Sequence, residues 1–160
     1  MSGRRDSPQV TPPEELGSDR PVASGGAQPS VILIIEDDDV TRQQFSDVLR
    51  AQGHSVVLAN DCETGVRQLE ILTVNAILLD LHLPGRDGLE CLKRIRATPR
   101  YEHVPVVVVT GDYFLDDTVS RQLSMLGARI YFKPVWADEL AQLARELLYL
   151  AANPGSPGAA

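Results

Sequence analysis

The chain has 160 residues, which leaves room for one domain with a real core. Its net charge of −7 and pI near 4.9 disfavour a nucleic-acid-binding surface, which needs a basic patch, and no nucleic-acid partner is expected. No apolar run approaches the ~20 residues that cross a bilayer, so no membrane partner is expected.

Arg4 and Arg5 lead into no apolar stretch, so the start does not read as a signal peptide. Residues 1–30 and 153–160 hold 13 of the 23 prolines and glycines, and neither end shows apolar periodicity. Such segments offer too little apolar surface to offset chain entropy. The expected organisation is a disordered extension over 1–30, a folded domain over 31–151 and a disordered tail over 152–160, with no second or output domain.

Five strand-like runs follow in order: VILIIE (31–36), SVVLA (55–59), NAILLD (75–80), PVVVVT (105–110) and RIYFK (129–133). The first, third and fourth are almost continuously apolar, the mark of strands buried on both faces of a parallel sheet. Helical segments alternate with them. Val40, Phe45, Val48 and Leu49 mark one face of the first. Asn60 with Glu63 reads as a cap and its partner, opening a second helix to about Leu72. Residues 88–97, 115–126 and 137–150 complete the set, the last with Leu140, Leu143 and Leu147 on one stripe. Asp38 and Asp39 read as an N-cap and a first-turn acid. Cys62 and Cys91 stand in no ligand spacing; a reduced, cytoplasmic protein with both cysteines in helix packing is the expectation. Strict β-α alternation implies a doubly wound α/β fold with helices on both faces of the sheet.

In such sheets ligands bind beyond the carboxyl ends of the strands. Four of the five runs end in polar groups: Glu36 and Asp37, then Asp80, Thr110, and Lys133 before Pro134. Two carboxylates ~5 Å apart repel by about 3 kcal/mol at an effective dielectric of 20. Protonation or a bound cation relieves that repulsion, and a hard ion such as Mg2+ suits oxygen ligands. Carboxylates, Mg2+, an ammonium and a hydroxyl together make a phosphoryl-transfer set, with one carboxylate available as nucleophile.

The segments IIEDD, LLDLHLPGRDG, VVVVTG and YFKPV, in this order, resemble the receiver domain of two-component response regulators. The resemblance covers 31–151. It implies a flavodoxin-like five-stranded parallel sheet of order 2-1-3-4-5. Asp80 matches the phospho-acceptor. Glu36 and Asp37 match the acidic pair that holds Mg2+ with Asp80 and the backbone carbonyl of His82, whose side chain is expected over the site mouth. Thr110 and Lys133 match the residues that bind the phosphoryl group and switch with it, and Pro134 is the candidate for a cis proline after the lysine. The implied function is a stand-alone receiver that takes phosphate from a sensor histidine kinase or histidine phosphotransfer protein and signals to an unnamed downstream protein. It implies no enzyme beyond self-phosphorylation and self-dephosphorylation.

Three departures stand out. Gly111 follows Thr110 where a small residue such as alanine is usual. The stretch GDYFLDD (111–117) is acidic, aromatic and longer than the family pattern. The switch aromatic normally lies three residues before the lysine; Ile130 stands there, with Tyr131 beside it as the alternative. Trp136 falls at a helix cap, either packed on the last helix or marking a partner face. Two rivals also fit parts of the chain. Asp37 to Thr41 and Gly111 to Asp116 resemble motifs of haloacid-dehalogenase-type phosphatases, though Lys133 then follows rather than precedes the second motif. A receiver-like binding module that is never phosphorylated is the other.

Overall fold

The computed structural model describes residues 29–155. The expectations for 1–28 and 156–160 lie outside the described residues. Among the described residues seven strands and five α-helices follow in the order β1 (Val31–Ile35), α1 (Asp39–Ala51), β2 (Ser55–Ala59), α2 (Cys62–Ile71), β3 (Ala76–Asp80), β4 (His82–Leu83), β5 (Arg86–Asp87), α3 (Gly88–Arg96), β6 (Val106–Thr110), α4 (Asp117–Met125), β7 (Ala128–Phe132) and α5 (Ala137–Ala152). A 3-10 turn, Pro99–Tyr101, precedes β6.

The five longer strands form one parallel sheet in the order β2-β1-β3-β6-β7. With the short β4-β5 hairpin set aside, this is the expected 2-1-3-4-5. The order reverses at β1, between β2 and β3, so a crevice opens beyond the carboxyl ends of β1 and β3. Alternate residues of the central strands feed two separate cores. Ile32, Ile34, Leu78 and Val107 pack with Phe45 and Leu49 of α1 and Leu140, Leu143 and Leu147 of α5. Leu33, Ile35, Ile77 and Val108 pack with Leu69 of α2, Leu92 and Ile95 of α3 and Leu123 of α4. Helices thus cover both faces, which is why β3 and β6 are buried at every position.

Local chemistry sets the helix starts. Asp38 caps α1, its carboxylate accepting the Thr41 N–H at 2.7 Å, and Asp39 begins the helix paired with Arg42. Asp116 caps α4 in the same way through the Thr118 N–H. The expected cap of α2 is corrected by one residue: Asp61, not Asn60, accepts the Thr64 N–H at 2.7 Å. An aspartate at this position gains a charge-assisted bond that an asparagine cannot match. Val40 is also corrected: it is exposed, because α1 turns Phe45, Ser46 and Leu49 inward.

Cys62 and Cys91 are joined in a disulfide between α2 and α3, with Cα atoms 5.6 Å apart. This corrects the expectation of two reduced packing cysteines. The crossovers place α2 and α3 side by side on one face, a proximity that 29 residues of sequence separation conceal. Among the described residues, no helix is long and apolar enough to cross a membrane.

Candidate functional site

Each site residue stands at or just beyond a strand end that is still tied to its neighbour. The Glu36 N–H donates to the Ala59 carbonyl at 3.0 Å, that of Leu81 to Val109 at 3.2 Å and that of Lys133 to Thr110 at 2.8 Å. The sheet ladder therefore extends one residue into the site and fixes where the side chains start.

Glu36 and Asp80 are buried, at 2% and 6% exposure, while Asp37 is exposed. Carboxylate oxygens of all three lie within 4.8 Å of one another. The Lys133 ammonium donates to Glu36 at 2.8 Å and to Asp80 at 3.3 Å. Burial, with the like charge of Asp80, lifts the Glu36 carboxyl above its ordinary value against the pull of Lys133. For Lys133 burial works the other way, yet Glu36 and Asp80 hold its ammonium above the usual lysine range. The two directions are compatible: the lysine has two carboxylate partners, whereas each carboxylate shares one ammonium with a rival of its own sign.

The rest of the site is framed by backbone. The His82 N–H donates to Asp80 Oδ1 at 3.2 Å, and the His82 side chain is exposed at the rim. His82 opens the β4-β5 hairpin, and Gly85, with a φ of 73°, makes its turn. Gly88 is a site-shaping residue that the sequence reading passed over. A Cβ there would lie 2.5 Å from the Asp80 carbonyl oxygen and 2.6 Å from the Leu81 Cα, so α3 can start against the acceptor strand only with glycine. Thr110 is fully buried, and its hydroxyl oxygen accepts the Asp112 N–H at 3.1 Å. The Lys133–Pro134 bond is cis. An open cleft of about 600 Å³ adjoins the acids, between the β3-α3 and β6-α4 connections, lined among others by Asp37, His82, Pro84, Asp112 and Leu115.

Two sequence expectations fall away from this edge. Tyr131 packs into the α1-α5 core, on the opposite face of β7 from Ile130, and does not join the site. Asp39, one acid of the phosphatase-like motif, is exposed and paired with Arg42.

The sequence profile described as response regulator receiver domain matches residues 32–145. The chain belongs to the response regulator receiver family. The receiver is 30% identical over 157 residues to the sensory/regulatory protein RpfC of Xanthomonas campestris, covering 89% of this chain and 21% of that protein. It is 35% identical over 126 residues to the response regulator MprA of a Mycobacterium species, covering 75% and 51%. The chain thus spans only a fifth to a half of these relatives. Among solved structures, a CheY-like receiver protein of Methanospirillum hungatei superposes with a TM-score of 0.72 at 26% identity, covering 80% of this chain and 100% of that one. Chemotaxis protein CheY4 of Vibrio cholerae shares the fold, with a TM-score of 0.70 at 21% identity over 76% and 100%.

Proposed function

We infer that the receiver accepts a phosphoryl group on Asp80 from a phosphohistidine of a sensor histidine kinase or phosphotransfer protein. The observation that carries this reading is the meeting of Glu36, Asp37 and Asp80 within 4.8 Å, with Lys133 bonded to the two buried members.

Three carboxylates against one ammonium leave the cluster with two excess negative charges, and its donors are all oxygens. That set fits a hard divalent ion such as Mg2+. Glu36, Asp37, Asp80 and the His82 carbonyl would hold it, and its chemistry is to neutralise charge on the transferring oxygens. The protein's own groups do the rest. An Asp80 oxygen attacks phosphorus, the P–N bond breaks, and its electron pair leaves with the donor imidazole. Lys133 offers its ammonium to the new phosphoryl oxygens, and Thr110 has a hydroxyl to donate. Water later attacks the acyl phosphate and releases inorganic phosphate, restoring the carboxylate. The acyl phosphate carries about −1.5 to −2 charges where the free carboxylate carried one, and that local change, with its new acceptor oxygens, biases the surrounding surface toward a second state that a downstream protein recognises.

Incubation with Mg2+ and acetyl phosphate, followed by intact mass, tests the reading. The wild type is expected to gain one phosphoryl group and Asp80→Ala none. A wild type without mass gain would leave a receiver-like binding module instead. Steady turnover of a phosphate monoester that is lost in Asp37→Asn but kept in Asp80→Asn would overturn the reading in favour of a phosphatase; Asp39 paired with Arg42 speaks against that.

A further inference from the structure

The phosphoryl chemistry leaves the insert after β6 unused. Ile130 stands where the family's switch aromatic is expected and packs with the α2-α3-α4 core, while Tyr131 faces the other core. No aromatic of β7 therefore points from those two positions toward Thr110. Tyr113, on the β6-α4 loop, comes close by another route. Its ring stacks on Phe132, centroids 5.4 Å apart and planes 13° apart, and its hydroxyl donates to the Lys133 carbonyl. Phe132 is two residues on from Ile130 and so shares its face of β7.

The same loop is tied at its other end to Thr110. The Thr110 hydroxyl oxygen accepts the Asp112 N–H at 3.1 Å, and the Asp112 carboxylate accepts the Phe114 N–H at 2.9 Å. One short loop is therefore bonded to both residues that must answer a phosphoryl group. Tyr113 bonds Lys133 through its backbone carbonyl, so the latch does not compete with the bonds the ammonium makes to Glu36 and Asp80.

We propose that Tyr113 is the switch aromatic of this receiver, acting as a positioning residue that latches the β6-α4 loop to the end of β7. The proposal rests on phosphorylation of Asp80. When the Thr110 hydroxyl turns to donate to a phosphoryl oxygen, its own oxygen leaves the Asp112 amide. When the Lys133 ammonium moves toward the phosphoryl group, the carbonyl that anchors Tyr113 moves with it. Both changes loosen the latch, uncover Phe132 and re-aim Phe114, already 95% exposed. A single surface hydrogen bond and one ring stack set a shallow balance, which a local change can tip. Loss of the hydroxyl alone is expected to shift the closed-to-open ratio about three- to tenfold.

The test uses the whole chain as wild type, Tyr113→Phe and Tyr113→Leu. Amide resonances of Thr110 and Lys133 and the indole resonance of Trp136, the chain's single tryptophan, are followed before and after beryllofluoride with Mg2+. Intact mass after acetyl phosphate is recorded in parallel. Tyr113→Leu is expected to start displaced along the wild-type beryllofluoride shift, Tyr113→Phe part of the way, and both to gain mass as the wild type does. A defect that is merely structural would move these resonances in unrelated directions. Variants that start and finish where the wild type does, with normal mass gain, overturn the latch and leave the receiver reading intact. A Tyr113→Phe protein that gains no mass assigns Tyr113 to the transfer step and also overturns the latch. A wild type that gains no mass at Asp80 removes both.

Discussion

The ends of β3 and β7 each bring one charged group to the same site, but they are built differently. β3 is buried at all five positions, and its terminal Asp80 has the backbone of Gly88 pressed against it. β7 is an edge strand, buried only at Ala128 and exposed by Phe132, and Lys133 hangs from it. Interiors are close-packed and resist small displacements, whereas half-exposed segments open at low cost. The acceptor is thus held by a stiff element and its cationic partner by a compliant one. That division lets the chemistry stay in register while the neighbouring surface changes.

Three measurements would break or sharpen this contrast. The largest effect is expected in the stiff strand itself: Leu79→Ala, at a fully buried position, should lower unfolding free energy by about 2–5 kcal/mol in denaturant melts. A loss below that range would mean that β3 yields as β7 does. Next comes the charge held at the stiff end. Glu36 has a raised pKa, so its ionised form costs stability. Its contribution is most favourable below the ordinary value of 4.5 and is lost as pH rises through the higher folded value. In chelator, Glu36→Gln should therefore melt above the wild type at neutral pH, with the gap closing in acid. Mg2+ at a hundredfold excess over its Kd should stabilise the wild type by about 2.7 kcal/mol and the variant by much less. The smallest effects separate two glycines. Gly88→Ala should cost about 1–3 kcal/mol and slow phosphate uptake, since its Cβ meets backbone. Gly111→Ala, with open space around its Cβ, should stay within about 0.5 kcal/mol and phosphorylate normally. Equal costs at the two positions would erase the difference between the walls of the site.

The fold was legible because continuous apolar runs alternating with amphipathic helices leave few topologies, and parallel strands put every carboxyl end at one edge. That same geometry makes Glu36, Asp37, Asp80, Thr110 and Lys133 readable as one edge from the sequence. What escaped were features set by tertiary contact. The Cys62–Cys91 link depends on two helices meeting across one face. The cap of α2 turned on one residue, Asp61 against Asn60, both good caps. The stacking of Tyr113 on Phe132 joins a loop to a strand end and follows no period. Gly88 could have been found: a glycine at the first position of a helix, eight residues after a charged strand end, invites the question of what lies against it.

β2 is the one long strand that sends no side chain to the acidic edge, and Gly53, with a φ of 87°, turns the chain just before it. Because the strands run parallel, that turn sits at the opposite end of the sheet, roughly 16 Å away along five residues. A fluorescent domain or affinity tag grafted there would report on the protein while leaving the reacting groups and their moving neighbours untouched.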